Sequence, residues 1–181
     1  MPISLYLLIP VTVTDIGDFA FYGCTALASI VIPDSVRRIG RDAFKGCTGL
    51  ISIKISKNVT EIGDYAFGCC SSLISIEIPG RVRRIGRDAF KGCIGLTIIE
   101  IPDNVIEISD FAFKGCTGLN SLTVGKNNQY YCGENNCILT KDKTSLIVGC
   151  KNSIIPDGIT KIGKAAFYCC SSLVSIEIPD S

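Results

Sequence analysis

Eleven cysteines and seventeen carboxylates are the residues of this 181-residue chain with most scope for chemistry, and there is no histidine. Losing imidazole removes the commonest general base and the commonest metal ligand together. Thiol chemistry remains: a nucleophile, a metal site or disulfides. A cysteine nucleophile without histidine needs another activator. A zinc site from Cys132, Cys137 and Cys150 would lack histidine and have irregular spacing. No glycine-rich phosphate loop is present. Cys24, Cys47, Cys70, Cys93, Cys116 and Cys170 share one sequence context. The carboxylates that can be placed are periodic as well, which reads as architecture. The chain is expected not to be an enzyme and to use no cofactor or metal.

The elements that position these residues come from a repeat. Phe21, Phe44, Phe67, Phe90 and Phe113 follow one another at 23-residue intervals, and Phe167 comes 54 residues after Phe113. The unit is L-x-S-I-x-I-P-x-x-V-x-x-I-G-x-x-A-F-x-G-C-x-x, cleanest at Leu27–Gly49. L-x-S-I-x-I alternates, so it is a short strand with one face inward. Pro33, Pro79, Pro102 and Pro179 end their strands. Gly40, Gly63, Gly86 and Gly163 suit a tight bend. A-F-x-G-C is expected to form a short helical or 3-10 turn that drops Phe and Cys into the core. One unit cannot close a core, but stacked units can. The expected fold class is α/β. It is a solenoid of stacked units over residues 1–181, with a parallel sheet on one face and an irregular hairpin insert at about 125–150.

I-P-x-x-V-x-x-I-G-x-x-A-F-x-G-C-x-x-L resembles the BspA-like, or treponemal-type, leucine-rich repeat, across essentially the whole chain from Ser4 to Ser181. Asn127–Val148 resembles that family's longer variant, in which two short strands flank a K-D-K-T turn. The resemblance implies surface exposure and adhesion to host or matrix proteins such as fibronectin and fibrinogen.

The variable positions carry a second period. VRRIGRDAFKGC occurs at Val36–Cys47 and again at Val82–Cys93, while VTEIGDYAFGCC lies between them at Val59–Cys70. One column reads Asp15, Arg38, Glu61, Arg84, Glu107, Lys161 and another Asp18, Arg41, Asp64, Arg87, Asp110, Lys164. Both alternate in sign. Stacked neighbours of like charge repel and of opposite charge attract, so a 46-residue charge period turns each column into an alternating ladder. After that pairing only Arg37, Arg81 and Arg83 of the arginine-rich segments lack an acidic neighbour. The basic cluster reads as a balanced face, and the formal net charge of +1 argues against a nucleic-acid partner.

The repeated cysteines are expected to form a reduced internal ladder, because stacking holds them farther apart than a disulfide prefers. Vicinal bridges at Cys69–Cys70 or Cys169–Cys170 would be strained. Cys132 and Cys137 carry a possible local disulfide in an oxidising compartment.

Candidate binding residues lie on the strand face: Ile51, Lys54, Ile74, Glu77, Ile98 and Glu100, beside small serines, with Arg37 and Arg83 added as unpaired cations. The same face also reads as an ordinary half-exposed sheet. Phe19, Asp42, Tyr65, Asp88, Phe111 and Ala165 form a third column whose rings either meet a partner or cover the neighbouring turn. Asn58-Val59-Thr60 is a glycosylation triplet.

No apolar run approaches 18 residues, so no membrane-spanning helix is expected. MPISLYLLIPVTV lacks a basic n-region and is in phase with the repeat, so it reads as structure. Leu5, Tyr6 and Leu8 would be exposed on the first strand, an open edge that invites end-to-end self-association. The leading functional reading is a surface or secreted binding module for a protein ligand. The others are an intracellular scaffold in the cytoplasm, which a thiol-rich chain suits, and a spacer.

Overall fold

The computed structural model describes residues 8–168, 170, 173 and 175–178. Leu5, Tyr6 and Cys169, with the Cys169–Cys170 pairing, lie outside the described residues. The chain winds into a stack of 23-residue turns, and neighbouring turns pair through parallel strands. Each turn has two extended segments. The first is the expected L-x-S-I-x-I strand. It pairs Ser29 with Ser52 and Val31 with Lys54 in one place, and Ile98 with Ser121 and Glu100 with Thr123 in another. The alternation is as expected, with Ile30, Ile53 and Ile99 inward and their neighbours outward.

The longer sheet lies elsewhere. Asp15–Ile16, Arg38–Ile39, Glu61–Ile62, Arg84–Ile85 and Glu107–Ile108 form one five-stranded parallel sheet. The sequence pointed only to a bend here. Two inward residues three apart, such as the fully buried Val36 and Ile39, carry no period-2 signal for a two-residue strand.

The helical or 3-10 turns are not found, and no helix occurs among the described residues, so the α/β assignment gives way to a β-stack. The physical reason is backbone conformation. Phe19, Asp42, Tyr65, Asp88, Phe111 and Ala165 all have positive φ, between 53° and 64°. Left-handed residues interrupt a right-handed helix. The freed N–H groups turn outward to the next turn instead: Phe44 N–H donates to Ala66 O at 2.8 Å and Gly46 N–H to Gly68 O at 2.8 Å.

Like residues therefore sit above like residues in the core. The rings of Phe21, Phe44, Phe67, Phe90 and Phe113 stack at centroid spacings of 5.0, 5.4, 5.4 and 5.3 Å. Beside them runs the cysteine column. The thiols of Cys47, Cys70, Cys93 and Cys116 each donate to the carbonyl of the preceding turn's Phe, at 3.0, 3.1, 3.0 and 3.0 Å. Burial pushes these thiols up, to about 11 for Cys47 and about 12 for Cys70 and Cys116, with Cys93 also raised.

The insert interrupts the stack. Cys137–Thr140 and Ser145–Val148 flank the K-D-K-T turn as expected. A third strand, Tyr131–Glu134, pairs with Cys137–Thr140 through Asn135 and Asn136, whose φ values of 49° and 58° suit a two-residue hairpin turn. The sixth turn stacks on the insert instead of on the fifth turn: Lys161–Ile162 pairs with Ser145–Leu146.

Candidate protein-binding surface

The charge columns resolve into two arrangements. The first is a true ladder, because Asp15, Arg38, Glu61, Arg84 and Glu107 are register partners in the five-stranded sheet. Arg84 is its hub, with Nη1 3.0 Å from Glu61, Nη2 2.9 Å from Asp64 and Nε 3.3 Å from Glu107. Lys161 leaves the ladder, since its register partner is Ser145. The second column works differently from the expectation. Asp18 and Asp64 accept the backbone N–H of Arg41 and Arg87, at 2.8 and 2.9 Å. The arginine side chains turn to Asp42 and Asp88, at 3.1 and 3.4 Å. Only Lys164 meets its column neighbour by side chain, 2.8 Å from Asp110. Arg84→Glu is expected to cost about 1–2 kcal/mol of stability, since its half-exposed pairs are worth up to about 1 kcal/mol each. The cost should shrink in high salt. Thermal melts at low and high salt check this, and an equal loss in both would contradict it.

The aromatic column covers neighbouring turns. Lys45 Nζ lies 4.6 Å from the Tyr65 ring centre and 2.9 Å from the buried Asp42, whose hydrogen bond raises the lysine's pKa. Arg87 and Lys114 lie over the Phe111 ring at 5.5 and 5.3 Å. Asn58 of the glycosylation triplet is half-buried. Its side-chain amide donates to Asp34 O at 2.8 Å, and Asn104 repeats the bond to Gly80 O at 2.6 Å.

The strand face holds the apolar candidates together. Ile51 and Ile74 occupy one column on adjacent turns, joined by Ile74 N–H donating to Ile51 O at 3.3 Å. Ile98 bridges to Ser75, one column across and one turn further. All three are half exposed, at 50, 54 and 52 %, although they sit beside the buried Ile53, Ile76 and Ile99 of the core. Val31, 57 % exposed, continues the apolar surface toward the first turns; its neighbour Lys54 lies in the same column. Lys54, Glu77 and Glu100 are exposed, and among the described residues none of them forms an ion pair. The structure does not bring Arg37 and Arg83 to this face. Both lie just before strands of the five-stranded sheet, where Thr60 separates them: its N–H donates to Arg37 O at 2.9 Å and its carbonyl accepts from Arg83 N–H at 2.8 Å.

Cys132 and Cys137 are free thiols, as are Cys24, Cys47, Cys69, Cys70, Cys93, Cys116 and Cys150. The hairpin sets Cys132 opposite Leu139 and Cys137 opposite Glu134. That is a diagonal pair, where Cα atoms lie roughly 7–8 Å apart, beyond the usual reach of a disulfide. The Cys132 thiol faces Thr140 O at 3.5 Å and the Cys137 thiol Ile154 O at 3.6 Å.

Sequence reasoning missed a cleft of about 430 Å³ between the fifth turn, residues 108–114, and the insert and sixth turn, residues 140–148 and 161–165. The 54-residue step between Phe113 and Phe167 was its signal, because a break in the period is a break in the stack.

A family model for the BspA type leucine-rich repeat region matches six copies, over residues 6–138 and 147–181. A leucine-rich repeat protein from T. pallidum is 32% identical over 83% of this chain and 63% of its own, with a TM-score of 0.65. One from Bacteroides ovatus is 33% identical over 92% of this chain and 41% of its own, with a TM-score of 0.70. The pneumococcal vaccine antigen PcpA shares the fold at 22% identity and a TM-score of 0.67, over 86% of this chain and 48% of its own. This chain thus spans less than two thirds of the length of each of these structures. Among curated proteins, none matches.

Proposed function

The chain belongs to the BspA-type leucine-rich repeat family, and on that premise we propose that it is a non-enzymatic protein-binding module, displayed at a cell surface or secreted. Proteins of this repeat class are commonly interaction modules, and solenoids bind along extended surfaces. The observation that carries the reading is the half-exposed row of Ile51, Ile74 and Ile98, bordered by Lys54, Glu77 and Glu100. Apolar side chains kept outward, beside charges without an ion-pair partner among the described residues, suit the core and rim of an interface. The ligand class is a protein, with matrix proteins such as fibronectin and fibrinogen as the first to test.

The double variant Ile51→Lys/Ile74→Lys is expected to weaken capture on immobilised fibronectin or fibrinogen at least about tenfold, since central interface residues cost about 2 kcal/mol or more. Its melting temperature should stay near that of the parent, because both side chains are surface residues. Parental binding by the double variant would defeat the proposal.

A second reading, an intracellular scaffold using the same face, is favoured by the free thiols of Cys47, Cys70, Cys93, Cys132, Cys137 and Cys150. Alkylation and intact mass on chain taken from its native source without reductant separates the two. Bridged cysteines would place the chain in an oxidising compartment and remove the scaffold.

A further inference from the structure

The first four turns hand main-chain donors to the turn that follows. Phe19 N–H donates to Arg41 O at 2.9 Å and Phe21 N–H to Ala43 O at 2.7 Å. The same pair of bonds recurs down the stack, ending with Asp88 to Asp110 at 3.3 Å and Phe90 to Ala112 at 2.8 Å. The fifth turn has no following turn in that position. Among the described residues, nothing accepts from the N–H of Phe111 or Phe113, and nothing donates to the carbonyl of Ile108. Gly163, which would have donated to Ile108, donates to Leu146 O at 2.7 Å instead. One edge group is capped from the insert: the Tyr131 hydroxyl accepts from Ile108 N–H at 2.9 Å. The rest of the edge opens into the cleft of about 430 Å³, within the roughly 300–1,000 Å³ range of ligand sites.

We propose that this cleft binds an extended segment of a partner protein in which acidic and apolar residues alternate. Three features fix that class. Phe111 and Phe113 are two residues apart, the spacing of carbonyls on one side of an extended chain. In every earlier turn the equivalent donors are met by carbonyls two residues apart, there flanking a left-handed residue of the next turn. A lone anion would satisfy one donor and leave the other; a strand laid on the edge satisfies both. Second, one wall is apolar, with Phe113, Ile147 and Val148, and suits alternate side chains turned inward. Third, Lys114, Lys161 and Lys164 line the cleft against a single carboxylate, Asp110, already held by Lys164 at 2.8 Å. Lys161 has no ion-pair partner among the described residues. The outward side chains of the occupant are therefore acidic. This site is separate from the Ile51–Ile74 face and does not depend on it.

The probe is fluorescein-labelled acetyl-Glu-Val-Glu-Val-Glu-Val-amide, titrated with the intact chain at roughly 50 mM salt and read by anisotropy, with amide exchange read by NMR. The expected result is saturable binding that slows exchange at Phe111 and Phe113. Lys161→Glu, an exposed change that leaves the fold alone, should weaken it by about tenfold or more. Ile147→Trp should abolish it by filling the cleft, and Ile51→Lys/Ile74→Lys should leave it unchanged. The proposal is overturned by no binding to the parent chain, by binding without protection at Phe111 and Phe113, or by equal binding of the peptide with Lys in place of Glu. Binding that Lys161→Glu leaves unchanged would overturn it too.

Discussion

Phe67→Ala will lower the unfolding free energy by about 3–5 kcal/mol, the range for emptying a buried aromatic site. Phe67 is fully buried and is the middle ring of five. It lies 5.4 Å from Phe44 and 5.4 Å from Phe90, at interplanar angles of 4° and 8°. Removing it strips a face from each neighbour. The gap cannot close by collapse, because the turns above and below are held apart by backbone bonds such as Phe67 N–H to Ala89 O at 2.8 Å. Aromatic pairs add about 0.5–1.5 kcal/mol beyond burial, so Phe67→Leu should recover much of the area but not the stacking. Urea unfolding of the three chains checks this. A loss below about 1 kcal/mol for Phe67→Ala would mean that the rings are not the core of the stack.

Alkali will destabilise the fold through its thiols. Cys47, Cys70, Cys93 and Cys116 have native pKa values raised by burial, to about 11 for Cys47 and about 12 for Cys70 and Cys116. An unfolded thiol ionises near about pH 8.5. Below that pH both states hold their protons and the full stability is present. Above it the unfolded chain releases protons that the folded chain keeps, so stability falls as pH rises toward the native values. Each thiol costs up to about 1.4 kcal/mol per pH unit, which by pH 10 is several kcal/mol in all. The hydrogen bonds to the Phe carbonyls give the same sign, since only the protonated thiol can donate. Urea midpoints under reductant at pH 7.5 and 10 measure the fall. Cys93→Ser keeps a donor for Phe67 O but removes one ionisable thiol of the ladder, and should flatten the slope by about a sixth to a quarter, since burial raises Cys132 and Cys137 as well. Equal stability at the two pH values, or an unchanged slope in Cys93→Ser, would show that the ladder does not hold its protons as the geometry requires.

The parts of this architecture that the chain spells out are those that repeat in side-chain type. The Phe and Cys columns and the Ser29–Val31 strand follow from period and alternation alone. So does the reason that Arg38 and Arg84 sit 46 residues apart with Glu61 between them. The parts it hides depend on backbone conformation. Asp42 and Tyr65 are not glycines, yet both are left-handed, at 53° and 54°, and that choice replaces a helical turn with turns bonded to their neighbours. A strand as short as Arg38–Ile39 has no alternation to read. Arg41 gives its side chain to Asp42 and only its backbone to Asp18, a division that no column of charges reveals. At the candidate surface, the outward direction of Ile98 was legible from the alternation, whereas Ile51 and Ile74 sit two residues before the buried Ile53 and Ile76 and still face outward, because the strand begins only after them. The separation of Arg37 and Arg83 from them was not legible, because it required knowing that each turn has two strands.

The most direct test of the binding surface is amide exchange across the whole chain, by mass spectrometry, with and without fibronectin or fibrinogen. Slowed exchange is expected centred on residues 51–54, 74–77 and 97–100, which form one patch only in the stacked fold. A complex whose protection lies instead on the five-stranded sheet beside Arg37 and Arg83, or that leaves all three segments unchanged, would contradict it.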